Sequence, residues 1–534
     1  MTKDIIKVLI ADELSDLAVN VFEENGIQVD FNPEIGKVTT ELDRLVGDYD
    51  GLAIRSNTKV TSDLIKKAKK LKVIGRAGIG VDNIDVNAAS ANGVVVMNTP
   101  FGNSITTAEH TIAMILSVAR KIPDANVSTH AGKWEKSKYI GVEVTGKILG
   151  IIGVGNVGSV VASRALGLKM RVVAFDPFLS IDKAIALGVE KVETLKEVLA
   201  CSDFLSLHVP KTKATKNLIS KSEISIMKRG AKLINCARGG LVDEEAVVQA
   251  LISGHLGGAA FDVFGTEPAI RSPLFGLKNV VCTPHLGAST KEAQENVAIQ
   301  IAEQMCAYLN RGAVSNALNA PSLKAEEVPV LTPWLKVTEA IGSFAGQLIE
   351  SPIRELEIEF VGGVGQLNFK PLIASITATL LMHLVGESTV NMVSAPIIAR
   401  KRGIKISEIR KDSQGAFDSY VRLKVISEHK NLSIAGTIYS DGKPRFIQIE
   451  EINLEAEPQK FMLYTANMDE PGYVGALGTV LGNLGVNIAT FALGRSAKHG
   501  QAIALLGVDD LITDDMLETV RELPQVLNVK SLVF

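Results

Sequence analysis

The stretch Lys147–Asp176, KILGIIGVGNVGSVVASRALGLKMRVVAFD, constrains this chain more than any other. Its apolar opening, Lys147–Gly153, suits a strand buried on both faces. Gly153, Gly155 and Gly158 follow as a GxGxxG at a strand-to-helix turn. The first glycine permits the tight turn. The second lets backbone approach a pyrophosphate, and the third lets helix and strand pack closely. The helix start then presents free N–H groups and a positive dipole end to phosphate. Arg171–Asp176 reads as the next strand, and Asp176 stands where a carboxylate binds an adenosine ribose. A plain glycine-rich turn leaves Asp176 unexplained, so the stretch predicts a dinucleotide-binding βαβ unit.

The chain has 534 residues, enough for three or four domains. A net charge of −3 argues against a nucleic-acid or anionic-membrane partner. Cys201, Cys236, Cys282 and Cys306 form no CxxC, and Cys236 and Cys282 lie in apolar runs. The expectation is reduced core thiols, a cytoplasmic setting and no metal site. The start MTKDIIKVLIADE reads as a strand after a short charged segment and lacks the pattern of a signal peptide. No apolar run is long enough to span a membrane.

Residues 1–99 alternate strands (Lys7–Asp12, Gly51–Ser56, Lys72–Gly78, Val94–Asn98) with helices (Leu14–Asn25, Thr61–Lys70), which predicts a parallel-sheet α/β domain. Ile105–Lys121 reads as a helix linking to the next domain and ended by Pro123. Beyond Asp176, strands at Asp203–Val209, Lys232–Ala237, Gly258–Val263 and Val280–Thr283 complete six parallel strands of a doubly wound sheet, with ligand at their C-terminal ends. Helix Lys291–Leu309 is expected to return to the first domain. Ala320–Pro333, with three prolines, reads as a linker. A further α/β unit contains strand Arg354–Phe360, helix Lys370–His383 and a hairpin at Asp441–Gly442. Phe461–Phe534 reads as a ferredoxin-like βαββαβ unit.

Three side chains stand at the late strand ends: Arg238 in LINCARGG, Glu267 in FDVFGTEP and His285 in VVCTPHLGAST. Beside a nicotinamide site they suggest hydride transfer at a hydroxyl carbon. A histidine takes the hydroxyl proton, a carboxylate orients the ring and favours its charged form, and an arginine grips a substrate carboxylate. A satisfied loop histidine after Pro284 is the competing reading. Arg55, with Ser56, and Arg76, in GRAGIGVDN, end adjacent strands, and Asn103 enters from the hinge. These suit a substrate phosphate, although two solvated surface arginines remain open. His208 ends a strand, where a place in the cofactor cleft and a structural place are both open. His110 reads as core or helix face. His130, His255, His383, His429 and His499 read as surface or structural, with no metal-ligand spacing. The run Arg400, Lys401, Arg402 and Lys405 reads as a solvated face.

The motifs around Gly153–Gly158 and Asp176, then NCARGG, FDVFGTEP and TPHLGAST, resemble in order and spacing the D-isomer-specific 2-hydroxyacid dehydrogenases across residues 1–318. That resemblance implies Arg238 for substrate binding, Glu267 as partner of the base and His285 as acid/base. IRSNTKV, GRAGIGVDNID and GKWEKSKYIGVEVTGKILGIIG resemble the family's long forms, in which Trp134 and Lys136 would reach a neighbouring subunit. Phe461–Phe534, with DEPGYVGALGTVLGNLGVNI, resembles an ACT domain, and the block 319–456 is similar to the long forms' allosteric substrate-binding domain.

The implied fold is α/β: two doubly wound parallel-sheet domains, Rossmann- or flavodoxin-like, forming a cleft, plus the intervening and ACT domains. The implied boundaries are 1–99 with 288–318 for substrate, 100–287 for cofactor, 319–456 and 457–534. The implied cofactor is NAD, because Asp176 would repel a 2′-phosphate and Pro177, Phe178 and Leu179 follow it instead of arginine. Asn156 and Val157 would meet the pyrophosphate and Asp262 the nicotinamide side. His208, Val209, Pro210, Cys236, Ala237, Gly287 and Ala288 would line the cofactor, and Gly78 the substrate. ACT tails of this family bind serine between paired subunits, which would fall to Asn467, Asp469 and Asn487. The first two stand where relatives often carry His and Asn. The resemblance also implies a homo-oligomer, with a tetramer expected. A glyoxylate or hydroxypyruvate reductase and a non-catalytic NAD-sensing regulator are the competing functions.

Overall fold

A computed structural model describes residues 5–385, 390–413 and 416–534. It contains four sheets. The first has five parallel strands in the order Gln28–Phe31, Lys7–Ile10, Gly51–Ile54, Val73–Arg76, Val95–Asn98. This 2-1-3-4-5 order is the flavodoxin-like winding. Residues 1–4, part of the short charged segment expected before the first strand, lie outside the described residues. The edge strand Gln28–Phe31 is an addition to the expectation. Its side chains are mostly exposed, so it carries no apolar alternation to read.

The second sheet is parallel throughout, in the order Val280–Cys282, Leu256–Phe261, Ala231–Asn235, Phe204–Leu207, Ile148–Ile152, Arg171–Phe175, Glu190–Lys191. It therefore has seven strands rather than six, the extra one being only two residues long. The winding reverses between Ile148–Ile152 and Phe204–Leu207, so the glycine turn opens at the switch point, where open α/β sheets take their ligands.

Helix Ser104–Arg120 runs from the first unit into the second. It ends at Lys121, whose φ of 55° turns the corner. Pro123 does not stop it but sits in the first turn of the next helix, Ile122–His130, where a missing N–H is harmless. Helix Lys291–Arg311 returns to the first sheet: Met305 lies under Gly51 and Gly75, and Asn310 Nδ2 donates to Asn25 O at 3.0 Å. The expected linker is shorter than predicted. Helix Val328–Leu348 begins inside it, with Pro329 in the first turn and Pro333 in the second, where it removes one backbone bond.

That helix packs with Lys370–Val385 on one face of a six-stranded mixed sheet. Strand Ile353–Gly362 lies between parallel Lys405–Lys411 and antiparallel Ser419–Ser427, and the expected hairpin joins Leu432–Ile438 to Pro444–Ile449. The last unit is βαββαβ with sheet order Ile488–Arg495, Gln501–Val508, Phe461–Met468, Val526–Val533, which is the ferredoxin-like order. Cys236 and Cys306 are buried and Cys201 half-buried. Cys282 is exposed, contrary to the core expectation, because the sheet-edge strand Val280–Cys282 is covered on one side only.

Candidate active site

The turn after Ile148–Ile152 demands glycine at two of its positions. Gly153 has a φ of 90°, and a Cβ there would lie 2.5 Å from His208 O. A Cβ on Gly158 would lie 2.1 Å from Gly153 O, whereas Gly155 faces open space. Close packing behind and room in front are what a pyrophosphate cradle needs, so these residues fit a dinucleotide. Asn156 and Val157 begin helix Asn156–Gly167 over this cradle. Asp176 follows strand Arg171–Phe175, and its carboxylate accepts from Val154 N and Phe178 N, both at 2.8 Å.

Across the switch point, His208 stands 2.9 Å from Ser206 Oγ through Nε2. Burial holds its pKa down to about 4, so the ring is neutral. Val209 Cγ1 closes on Gly153, and Pro210 continues that rim. Cys236 is buried beside them with its thiol pushed up to about 12 by desolvation, an inert wall.

The ends of the next three strands carry Arg238, Glu267 and His285. Buried Asn235 shapes the first turn: its Oδ1 accepts from Ala237 N at 3.1 Å and its Nδ2 donates to Arg238 O at 3.0 Å. The loop bearing Arg238 abuts the loop bearing Glu267, because a Cβ on Gly239 would lie 1.6 Å from Phe264 O. Glu267 Oε2 meets His285 Nδ1 at 2.6 Å and Oε1 accepts from Phe264 N at 3.0 Å. Burial raises the Glu267 carboxyl, but those two hydrogen bonds outweigh it and hold the group below its ordinary range. The imidazole is thus oriented through Nδ1 by an ionised carboxylate.

His285 has a φ of 56°, unusual for a residue with a side chain. The fully buried Asp262 imposes it. Asp262 O accepts from His285 N at 2.9 Å. Its carboxylate accepts from Thr283 Oγ1 and Leu286 N at 2.7 Å and from Gly287 N at 2.8 Å. His110 Nε2 completes the set, 3.2 Å from Asp262 Oδ1 and 3.1 Å from Thr283 Oγ1. Asp262, expected at the nicotinamide, therefore spends both oxygens on the loop of residues 283–287. His110, read as core or helix face, is its partner. The local signal was Asp262 alone, a carboxylate set directly after the apolar strand Leu256–Phe261.

Burial raises the Asp262 carboxyl, and its hydrogen bonds, led by that from His110, bring it below the ordinary value. A depressed folded pKa stabilises above the unfolded value, near pH 4, and the contribution is lost as pH falls through the folded one. Asp262→Ala strands the donors of Thr283, Leu286, Gly287 and His110, and we expect it to cost about 3–5 kcal/mol, the range for breaking a buried charged network. Thermal unfolding at neutral pH checks this, and a Tm equal to wild type would refute it.

The first unit faces this mouth with arginines. Arg76 is half-buried, and its buried Nε has no partner. Burial, then the like charges of Arg238 and Arg55, push its pKa down to about 10. Gly78 makes room for it: a Cβ there would lie 1.9 Å from Arg76 Nη1. Gly80 does the same for Arg238, whose Nη2 would lie 2.2 Å from a Cβ. Arg238 Nε sits 3.3 Å from Asp82 Oδ2, across the cleft, and Nη1 donates to Ala237 O at 2.7 Å. Arg55 N donates to Asp12 Oδ2 at 2.6 Å and Nη1 to Glu13 O at 3.3 Å, while Ser56 beside it is exposed. Asn103, at the hinge, is 8% exposed with Oδ1 unpartnered. The structure thus links Arg55, Arg76, Gly78 and Arg238 on one side with Glu267 and His285, whose loop abuts that of Arg238, on the other; Gly287 is buried against Asp262 and Ala288 is half-buried.

Two sets stand apart. Trp134 is 87% exposed, and Lys136 is exposed in the turn Lys136–Tyr139. In the C-terminal unit, Asp469 accepts from Arg495 Nη1 at 2.8 Å, and buried Asn467 lies on the same strand end. Asn487, which donates to Asp509 Oδ2 at 2.7 Å, lies at the opposite end of that sheet, so one chain does not bring the three together.

Residues 112–287 match the family described as D-isomer specific 2-hydroxyacid dehydrogenase, NAD binding domain, and residues 330–450 match D-3-phosphoglycerate dehydrogenase intervening domain. The chain is 38% identical to a D-3-phosphoglycerate dehydrogenase of Bacillus subtilis over 98% of this chain and 99% of that protein. It is 40% identical to one from Synechocystis over 97% and 92%. Among solved structures, the D-lactate dehydrogenase from Aquifex aeolicus complexed with NAD and lactic acid superposes with a TM-score of 0.52 and 27% identity, covering 59% of this chain and 100% of that one. The chain belongs to the D-3-phosphoglycerate dehydrogenase family, within the D-isomer-specific 2-hydroxyacid dehydrogenases.

Proposed function

We propose that this protein oxidises 3-phosphoglycerate to 3-phosphohydroxypyruvate with NAD, the step that opens serine biosynthesis. One observation carries the reading: the Glu267–His285 pair stands beside the loop of Arg238, and the charges of Arg238 and Arg55 both bear on Arg76. A mouth that charged seeks an anion with more than one acidic group. Phosphoglycerate offers a phosphate at one end and a carboxylate at the other.

NAD, when bound in the glycine cradle, supplies the acceptor for the hydride leaving C2. The chain's own residues do the rest. His285 Nε2 takes the hydroxyl proton, and Glu267, ionised and bonded to Nδ1, stabilises the resulting imidazolium. Arg238 grips the substrate carboxylate and polarises the carbonyl as it forms. Arg76, with its unpartnered Nε, and Arg55 take the phosphate, and Ser56, Gly78 and Asn103 line the approach. Asp176 selects NAD over NADP by repelling a 2′-phosphate.

In this reading the exposed Trp134 and Lys136 complete the cleft of a neighbouring subunit in a homotetramer. The C-terminal unit is an ACT domain that binds L-serine across paired subunits, where Asn487 of one chain approaches Asp469 and Asn467 of another. Four free thiols suit a reducing cytoplasm. Among the described residues no helix is long and apolar enough to cross a membrane.

The deciding measurement is NADH formation from phosphoglycerate, with and without L-serine. No turnover with NAD still bound would favour an NAD-sensing regulator. A narrower test is Arg55→Ala. Losing one charged hydrogen-bonding partner costs about 1.5–3 kcal/mol, so KM for phosphoglycerate should rise roughly 10- to 100-fold. A hydroxy acid without phosphate should be nearly unaffected. Equal losses on both substrates would instead point to a glyoxylate or hydroxypyruvate reductase.

A further inference from the structure

The dinucleotide turn and the arginine loop are joined by a short run of hydrogen bonds through the hinge. Asn156 begins the helix over the glycine cradle, yet its side chain is engaged elsewhere: Nδ2 donates to Pro100 O at 3.0 Å. Pro100 lies in the crossing between the two units. Its neighbour Thr99 is fully buried and clasps Gly78 twice, Oγ1 accepting from Gly78 N at 2.7 Å and Thr99 N donating to Gly78 O at 3.1 Å. Asn98 Nδ2 adds a bond to Ile79 O at 2.6 Å. Gly78 and Gly80 are the residues whose missing side chains seat Arg76 and Arg238, and Asp82, two positions further, pairs with Arg238. From Asn156 to the arginines there is therefore one connected path: Pro100, Thr99, Gly78, Arg76.

The crossing is also short of one bond. Asn103, three residues on, is buried with Oδ1 unpartnered, although it occupies the N-cap position of helix Ser104–Arg120, where a side-chain oxygen ordinarily accepts a backbone N–H. Ser104 Oγ shares the Pro100 carbonyl with Asn156, at 3.3 Å. A crossing with an idle buried acceptor and a shared carbonyl has a second hydrogen-bonded arrangement within reach.

We propose that Asn156 couples the two ligand sites: occupancy of the dinucleotide cradle sets the Pro100 crossing, and through Thr99 the arginine loop, so that each ligand tightens the binding of the other. Asn156 is then a positioning residue for the substrate arginines, in addition to lying beside the cofactor. The identities of the ligands rest on the function proposed above. Coupling between binding sites is reciprocal, so it is readable from either one.

The test is titration calorimetry of NADH binding, without and with saturating 3-phosphoglycerate, on the full-length protein and on the Asn156→Ala and Thr99→Val variants. The quantity read is the ratio of the two affinities, which a uniform change in NADH affinity or in active fraction does not move. Wild type should show a ratio of about tenfold or more, within the usual span of coupling energies. In Asn156→Ala it should fall below about twofold, and in Thr99→Val likewise, because the next link is cut. Asn156 is at an exposed helix start, so its variant keeps the test alive if the buried threonine does not tolerate valine. A wild-type ratio near one, or an Asn156→Ala ratio equal to wild type, overturns the coupling. A protein that neither binds nor turns over 3-phosphoglycerate overturns the functional reading as well, whereas turnover with a ratio near one overturns the coupling alone.

Discussion

Changing His285 to Gln is expected to lower kcat by about 100- to 10,000-fold, the worth of a positioned acid/base, while NADH still binds. The geometry argues for so large a loss. Glu267 holds His285 Nδ1 at 2.6 Å and is kept ionised, so Nε2 is the nitrogen left for a substrate proton. A glutamine amide can still donate to Glu267, but it neither takes nor gives a proton near neutral pH. The fold should survive, because the bonds that pin this position are made by its backbone, from His285 N to Asp262 O and Thr283 O. Steady-state turnover with phosphoglycerate and NADH fluorescence titration separate the two effects. A kcat loss below about tenfold would assign the proton to another group.

The parts of this site that could be read from the chain are those in which one residue type answers one steric demand. Gly153 and Gly158 are glycines because backbone oxygens stand 2.5 and 2.1 Å from where their side chains would begin, and a short-range motif records that demand. Arg238, Glu267 and His285 were legible for a related reason, since each follows an apolar strand whose end in a parallel sheet is a ligand face. The support behind them was not legible. Asp262 and His110 are 152 positions apart and meet only because helix Ser104–Arg120 packs along strand Leu256–Phe261, Val118 at its start and His110 past its end. No periodicity announces such a pair. The edge strand Gln28–Phe31 escaped because only Val29 of its four side chains is turned into the core. Pro123 and Cys282 misled because a proline starts a helix as readily as it ends one, and because an apolar run at a sheet edge is covered on one side only. In the C-terminal unit, residue matching nominates Asn467, Asp469 and Asn487 together, while sheet register within one chain separates them.

Replacing Arg238 by Lys, which preserves charge, is expected to cost about 100- to 1,000-fold in kcat/KM, as does removal of a donor aimed at developing negative charge. A guanidinium has five donors in a rigid fork, and this one is already committed on two sides, to Ala237 O and Asp82, with its Nη2 resting against Gly80. Those contacts fix its plane while leaving further N–H groups for the substrate carboxylate and the nascent carbonyl. An ammonium is a point charge on a flexible stem. Its three donors cannot serve Ala237 O, Asp82 and two substrate oxygens at once, and it leaves unfilled the space that Gly80 keeps clear. The loss should therefore divide between the two constants, KM rising through the weakened carboxylate grip and kcat falling through poorer polarisation of the carbonyl. Arg55→Ala, by contrast, should act on KM almost alone, because a phosphate contact is the same before and during hydride transfer. Kinetics of both variants on the same substrate measure that contrast directly. If the lysine variant keeps kcat/KM within about tenfold of wild type, positive charge alone suffices at this position and the fork has no special part in the chemistry.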